Sequence, residues 1–275
     1  VANGEGNLAA LAYKYLKIKH PNCLVDLVSP EPSGGVVATG SLQVSGTITA
    51  PYTVRITISG RVIDVPWNVG ETAAQLHAKA VTYIGRYKRD LYCTASVGVT
   101  PDRILLTANA AGPAGNDVQV SFSLLDGAGG TVAATVATLT GGTTEPDFTT
   151  ALQTIEGREY DLIGLCLSNA DAVSTSGNFS RADTHVTGLD TGPQAKLQQV
   201  VVGHTGTRTA AAVSSAARNE QQLELLNLQN ALALPSEVMG DEIGGRMQGI
   251  ALKISANRIG EEMNVYASAD PVANH

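Results

Sequence analysis

A chain of 275 residues can bury a sizeable hydrophobic core, and its length favours two domains over one. The net charge of −7 argues against a broad phosphate-binding surface, since nucleic-acid binding needs clustered Lys and Arg. No stretch approaches the ~18 apolar residues that span a bilayer. Composition therefore predicts neither a nucleic-acid partner nor membrane insertion.

The first 33 residues predict a helix followed by a short strand. Apolar residues recur at spacings of three and four, at Leu8, Leu11, Ala12, Tyr15 and Leu16. Pro21 ends this helix, and the apolar run at residues 24–28 is typical of a buried strand. This helix and strand need a sheet to join.

A change of character at about residue 34 predicts a separate domain, residues 34–141. Alternating β-branched residues dominate it, and Ser59-Gly60 has the composition of a hairpin turn. One helix is predicted over residues 71–87, with Gly70 as its cap. Further strands are predicted at 91–97, 103–108 and 118–124. The region is interpreted as a β-rich domain containing one helix.

After residue 142 helices and strands alternate, which predicts a parallel sheet. The predicted helices are 147–157, 208–218 and a long one from Ser236, and the predicted strands are 160–167, 197–203 and 222–228. We expect residues 1–33 and 142–275 to form one discontinuous α/β core domain, with a mostly parallel sheet flanked by helices. The β-rich domain would be inserted at a loop, which requires Pro32 and Gly142 to lie close together.

Two short motifs make a hydrolase the main alternative function. Asp190-Thr191-Gly192 resembles the carboxylate segment of aspartic and some subtilisin-like proteases, and His204 follows in a Gly-His-Thr-Gly segment. A triad also needs a nucleophile, and the Gly-Thr-Ser-x-Ala serine segment is absent downstream. An aspartic protease needs a second Asp-Thr-Gly, which is also absent. We expect no catalytic residue, while a hydrolase using Asp190, His204 and an unidentified nucleophile stays open.

No motif for a metal or a cofactor is present in the sequence. The histidines show no metal-ligand spacing, at His20, His77, His185, His204 and His275. The Gly-rich segments 111–117 and 139–143 match neither a P-loop nor a dinucleotide-binding motif. The cysteines lie in apolar runs typical of buried free thiols in a reducing compartment, at Cys23, Cys93 and Cys166. We expect no metal and no cofactor.

One small basic cluster leaves nucleic-acid binding as a minor alternative. Arg86, Lys88 and Arg89 lie beside three aromatic residues, Tyr83, Tyr87 and Tyr92. Such a cluster is small for a nucleic-acid footprint. We interpret it as a solvated helix end.

The order of segments, more than any motif, resembles one known family. The segments are Gly4–Ala9 before a helix that ends at His20-Pro21-Asn22, then 108–117, 139–147, Tyr160–Ile163, Asn169-Ala170-Asp171, Arg218-Asn219 and Ala269-Asp270-Pro271. In this order they resemble the Mu-like family of contractile phage tail sheath proteins. The family core is often described as subtilisin-like without protease activity, which implies the α/β core expected above.

The resemblance implies a structural subunit of a phage or prophage tail, and no enzyme. Sheath subunits polymerise around a tail tube and contract to drive it through the host envelope. The implied partners are copies of the chain, the tail tube protein and the baseplate, with the protein located in the virion tail and, during assembly, in the host cytoplasm. The chain itself would be a central, protease-resistant fragment that stays monomeric in solution. A surface adhesin or sugar-binding module is a further alternative.

Overall fold

The computed structural model describes residues 8, 11–14, 26–28, 30, 34–99, 103–125, 130–156, 160, 162–189, 198–218, 223–229 and 231–239. These residues fall into two compact units. We call the described residues between 34 and 144 the β-rich unit. Those between 8 and 30, together with those between 145 and 239, form the mixed unit.

Two antiparallel sheets and one helix make up the described β-rich unit. Its elements in chain order are β1 (Val37–Ile48), β2 (Tyr52–Ile58), β3 (Arg61–Trp67), α1 (Ala73–Gly85), β4 (Cys93–Val97), β5 (Ile104–Ala111), a 3₁₀ turn (Pro113–Asp117), β6 (Val120–Leu125) and β7 (Gly130–Thr140). One sheet has the order β4-β5-β1-β7 and the other the order β3-β2-β6. All neighbouring strands in both sheets are antiparallel.

The predicted hairpin at Ser59-Gly60 is confirmed. Strands β2 and β3 pair from Tyr52 to Ile58, and both turn residues have positive φ, 45° at Ser59 and 75° at Gly60. Two consecutive positive φ angles define the tight turn whose twist matches that of the flanking strands. The alternating apolar residues of both strands are buried, at Val54, Ile56, Ile58, Ile63 and Val65.

Helix α1 is capped by Thr72, so the predicted cap at Gly70 is wrong. Thr72 Oγ1 accepts a hydrogen bond from Gln75 N at 3.3 Å, and Gln75 Oε1 accepts one from Thr72 N at 2.9 Å. This reciprocal capping box satisfies two backbone donors at the helix start. The helix buries Leu76, His77, Ala80 and Ile84.

A short parallel sheet is the centre of the mixed unit. The described elements are α2 (Thr149–Ile155), β8 (Leu162–Leu165), α3 (Asn169–Ala172), α4 (Asn178–Leu189), β9 (Gln199–His204), α5 (Arg208–Arg218) and β10 (Leu223–Asn227). Residues 8, 11–14 and 235–239 are also helical. The sheet has the order β10-β9-β8 with both pairs parallel. The central strand is apolar on both faces, since Val200, Val201 and Val202 are fully buried.

The predicted fold class, a subtilisin-like α/β core with a mostly parallel sheet flanked by helices, is wrong. Parallel pairing among the described residues is confined to the three strands β8, β9 and β10, and the larger share of strands pairs antiparallel. The fold is mixed α/β with mostly antiparallel sheets. Alternation of helices and strands predicts parallel pairing only for the strands that take part in it, here β8, β9 and β10. The predicted strand 24–28 is wrong in its described part, because residues 26–28 have no regular secondary structure.

Two further predictions fall on residues outside the described ranges. Pro32 is one of these residues, so its predicted proximity to Gly142 stays a prediction. The helix predicted from Ser236 is described only as far as Met239.

Candidate functional site at the ends of the parallel strands

The carboxyl ends of the parallel strands are the first place to look for a site, because ligands of open α/β sheets bind beyond those ends. Strand β9 ends at His204, β10 ends at Asn227, and Asn169 begins α3 shortly after β8. We call His204, Thr205, Gly206, Asn169 and Asn227 the strand-end cluster. Among the described residues, this cluster contains polar side chains from the carboxyl ends of all three parallel strands or from the segments directly after them.

Hydrogen bonds fix the tautomer of His204, which is only 2% exposed. Its Nδ1 lies 2.8 Å from Nδ2 of Asn227. The same amide nitrogen faces the carbonyl oxygens of Gly206 and Thr207 at 3.4 and 3.5 Å, so it is the donating end of the amide. Nδ1 therefore accepts a hydrogen bond, and the proton of the neutral ring resides on Nε2.

The surroundings of His204 differ from those of a catalytic histidine. Burial lowers the pKa of His204, which favours the neutral ring. A Cβ built on Gly206 would lie 2.8 Å from Nε2, so the loop covers that side of the ring. A triad histidine donates from Nδ1 to a carboxylate and keeps the lone pair of Nε2 for the nucleophile. His204 holds the opposite tautomer.

The loop after β9 is closed by Asn169. Its Oδ1 accepts from Thr205 N at 2.8 Å, and its Nδ2 donates to Thr205 Oγ1 at 2.9 Å. On the other side, Leu228 N donates to the carbonyl of His204 at 3.0 Å. The polar groups of the strand-end cluster thus hold the ends of neighbouring strands together. Asp190, the other residue of the hydrolase alternative, lies outside the described residues.

A second polar group, which we call the Asp171 network, is buried between the helices of the mixed unit. The carboxylate of Asp171, 3% exposed, accepts from Asn178 N at 2.9 Å and from Asn178 Nδ2 at 2.7 Å. Asn178 Oδ1 in turn accepts from Phe148 N at 3.1 Å. A Cβ on Gly177 would lie 1.8 Å from Asp171 Oδ1, so only glycine fits there. The network ties the start of α4 to α3 and α2.

Arg218, at the end of α5, extends the Asp171 network to a fourth helix. Its guanidinium donates to the carbonyl and hydroxyl of Ser214 and to the carbonyl of Ser174. The guanidinium also lies 4.4 Å from the centre of the Phe179 ring. Ser214 Oγ donates to the carbonyl of Ala172 at 3.0 Å, which completes the link to α3.

Sequence reasoning did not predict either polar group as a unit. The sequence gives Asn169, Asp171 and Arg218 no predicted contact, and they belong only to segments that resemble sheath proteins. One local pattern in the sequence predicts part of the Asp171 network. Ser168 precedes α3 as its N-cap and accepts a hydrogen bond from Asp171 N at 3.1 Å. The partner Asn178 could not be identified from that pattern.

The two described thiols, buried at Cys93 and half-buried at Cys166, have raised pKa values. Burial raises the pKa of Cys93 to about 12 and the pKa of Cys166 to about 12. A thiol with so high a pKa holds little thiolate at neutral pH. Both thiols are free, whereas Cys23 lies outside the described residues.

The basic cluster of the β-rich unit is partly engaged within that unit. The Arg86 guanidinium lies 4.2 Å from the centre of the Tyr83 ring, and that of Arg61 lies 5.7 Å from the centre of the Tyr87 ring. Arg61 also pairs with Asp90 at 3.2 Å. These contacts support the interpretation of a helix end.

Histidines and acidic residues do not converge on a metal site within the described ranges. No group of three or more His, Cys, Asp or Glu side chains there is placed to hold an ion. His77 and His204 are each buried within a different unit, and burial lowers the pKa of His185. None of the described helices has the length and apolar character to cross a membrane.

Comparisons with known proteins give little likeness. No family model matches the chain, and no curated protein matches it. A solved structure with some similarity is that of the D1-D2-D3 domains of the flagellar cap protein FliD from Escherichia coli. It is 11% identical, with a TM-score of 0.22, and the match covers 94% of this chain and 100% of that one. A likeness of this size supports no conclusion about fold or function.

Proposed function

We propose that the chain is part of a structural subunit of a contractile phage or prophage tail sheath. The subunit polymerises around the tail tube and contracts to drive the tube through the host envelope. Its partners are copies of itself, the tube protein and the baseplate, and it acts in the virion tail after assembly in the host cytoplasm. The ordered sequence segments that resemble Mu-like sheath proteins support this assignment.

The structural observation that carries the proposal is the state of the strand-end cluster. At the place where α/β proteins hold substrates, His204 accepts from Asn227, and Asn169 binds the backbone of Thr205. These groups stabilise the fold, and the tautomer of His204 is unsuited to a general base. The cluster therefore favours a scaffold over a hydrolase.

The composition supports burial in an assembly. Charged residues make up 16% of the chain, below the roughly 25% of an average globular protein. A lightly charged surface costs less to desolvate when copies pack together. A heterologous interface repeated by a screw operation builds a helical tube. Contraction would draw its work from the difference in contact free energy between two assembled states.

Electron microscopy of the intact protein tests the proposal. We expect hollow, sheath-like tubes under assembly conditions. Monodisperse monomers under every condition tried would contradict the sheath assignment.

A serine-reactive fluorophosphonate probe tests the hydrolase alternative on the same preparation. We expect no covalent labelling, because the hydrogen bonds of His204 assign the proton to Nε2, which leaves no lone pair there to accept a proton. Labelling that is lost in His204→Ala and kept in His185→Ala would overturn the structural assignment. The His185 variant is the matched control, since it also removes a histidine whose pKa burial lowers.

A further inference from the structure

Strand β7 is an outer strand that pairs regularly with β1 over residues 130–137, and a β-bulge follows after Ala137. It runs for 11 residues along one side of the sheet β4-β5-β1-β7. Native proteins protect such edges with Lys, Pro, an inward-pointing charge, a short strand or a β-bulge, and the bulge of β7 lies outside residues 130–137. β7 contains no charged residue and no proline, and almost all of its residues are exposed or half-buried. Among the described residues, the outer side of segment 130–137 is therefore open to pairing with another strand.

The register shows which backbone groups of β7 face the open side. Val44 N on β1 donates to His77 Nε2, so it points away from β7. Val44 lies opposite Ala134, and antiparallel pairs alternate between bonded and non-bonded. Ala134 and its neighbours two positions away, Val132 and Val136, therefore direct their N–H and C=O groups outward. Within the described residues no strand pairs with that side.

The outward-facing segment is symmetric in sequence. Val132 and Val136 lie at equal distances on either side of Ala134. Both valines are half-buried and share a face of the sheet with Leu42, the β1 partner of Val136, and Val44, the β1 partner of Ala134. A second β7 laid antiparallel, with its Ala134 opposite the first, would place each Val132 against Val136 of the second copy. Valine pairs of this kind stabilise antiparallel sheets.

The charge distribution permits such an approach. Residues 34–144 hold seven Lys and Arg against six Asp and Glu, a net charge of +1. The rest of the chain holds 11 against 19, a net charge of −8, which together give the −7 of the whole. Proteins with little net charge associate more readily, so the part of the chain that carries β7 is the part with the least self-repulsion.

We propose that β7 pairs with β7 of a second copy of this chain, antiparallel about a two-fold axis at Ala134. The pairing joins two four-stranded sheets into one of eight, with the N–H and C=O groups of Val132, Ala134 and Val136 bonded across the axis. The interface is isologous, so both copies use the same residues. The proposal does not rest on the sheath assignment, because a tube built by a screw operation does not require a two-fold contact.

The contact is expected to be weak on its own. Three residue pairs bury less than the roughly 1,000 Å² that a stable interface needs. Dilute protein is therefore monomeric, as the sequence resemblance implies. Association appears at high concentration or when the contact is trapped covalently.

Cysteine cross-linking of the whole chain tests the register. Ala134→Cys should give an oxidised dimer, because directly opposed residues of a bonded pair have Cα atoms about 5.5 Å apart, within disulfide range. Val132→Cys alone should not cross-link, whereas a mixture of Val132→Cys and Val136→Cys should. Equal cross-linking of all three single variants, or of none, would overturn the proposal.

Proline substitution tests the role of the open edge. Ala134→Pro removes an N–H that faces outward and is not needed by the pairing with β1. We expect its fold to survive, as reported by the fluorescence of buried Trp67, and its dimerisation in sedimentation equilibrium to weaken at least tenfold. Thr135→Pro, the matched control, removes an N–H directed at β1 and should destabilise the β-rich unit. Unchanged dimerisation of Ala134→Pro, or no dimer of the unmodified chain at millimolar concentration, contradicts the proposal.

The other edge of the same sheet provides a second control. Thr94→Lys places a charge on the exposed outer strand β4. It should leave dimerisation unchanged, whereas Ala134→Lys should abolish it. Loss of dimerisation in Thr94→Lys would show that β7 pairs with β4 of the second copy and would overturn the two-fold arrangement.

Discussion

The two units differ in how they accommodate buried polar groups. Among the described residues, the β-rich unit buries one polar side chain, His77, and its ion pairs are exposed or half-buried. The mixed unit buries eight, at Ser168, Asp171, Asn178, Gln198, His204, Ser214, Ser236 and Glu237. Apolar periodicity therefore specifies the first unit, whereas the second also depends on the pairing of particular polar groups. Buried polar pairs are costly to break, because a lone partner keeps its desolvation penalty.

The largest expected effect is that of Asp171→Ala. This substitution leaves Asn178 N and one of the two N–H groups of Asn178 Nδ2 without an acceptor in a buried site, the other staying bonded to the carbonyl of Pro146, so we expect a loss of about 3–5 kcal/mol in the free energy of unfolding. Chemical denaturation followed by circular dichroism, with hydrogen exchange of peptides from residues 169–189, measures the loss. Asp64→Ala, which removes an exposed carboxylate, is the control. A loss below about 1 kcal/mol would mean that the Asp171 network adds little to stability.

His77→Ala is the corresponding test in the β-rich unit, with a somewhat smaller expected effect of about 2–3 kcal/mol. It removes the acceptor of Val44 N, 3.1 Å away, and leaves a cavity beneath α1. Trp67 is the single tryptophan and is buried in this unit, so its fluorescence during denaturation reports the change directly.

His77→Gln provides the matched variant for that test, because its amide oxygen can accept from Val44 N. It should recover part of the loss. Equal destabilisation by Ala and Gln would assign the effect of His77 to packing alone.

The same contrast explains how much the sequence could predict. Alternation over residues 53–58 and the Ser-Gly pair are local signals, and they predicted β2, β3 and their turn. Apolar runs likewise predicted β8, β9 and β10. The overall sheet type could not be predicted, because parallel or antiparallel pairing depends on which strands meet.

The candidate site was harder to predict than the strands. Asn227 lies 23 residues from His204, and no local pattern links a histidine to an amide at that distance. The same holds for Asp171 and Asn178, whose pairing depends on how α3 meets α4. The open edge of β7 also follows from the order of strands in the sheet, a tertiary property.

The mixed unit should lose stability on acidification through the buried His204 and the half-buried His185. Burial lowers the pKa of His204 and of His185 in the folded state. The unfolded chain, with an ordinary histidine pKa of about 6.5, then binds more protons as the pH falls from 7 to 5, so the free energy of unfolding decreases over that range. His204→Gln should flatten this dependence in denaturation experiments at each pH. An unchanged slope would mean that His204 does not titrate on unfolding.

The smallest expected effect is that of the surface ion pair between β2 and β3. Arg55 binds both carboxylate oxygens of Asp64 at 2.8 Å, and the Arg55 hydrogen bond lowers the pKa of that carboxyl. The two side chains are 40% and 43% exposed, so solvent screens the attraction. We expect a coupling of about 0.5 kcal/mol in a double-mutant cycle of Arg55→Ala and Asp64→Ala, measured by Trp67 fluorescence and reduced at 1 M salt. A coupling as large as the loss of about 3–5 kcal/mol expected for Asp171→Ala, and independent of salt, would contradict this prediction. Polar pairs would then contribute equally to the stability of both units.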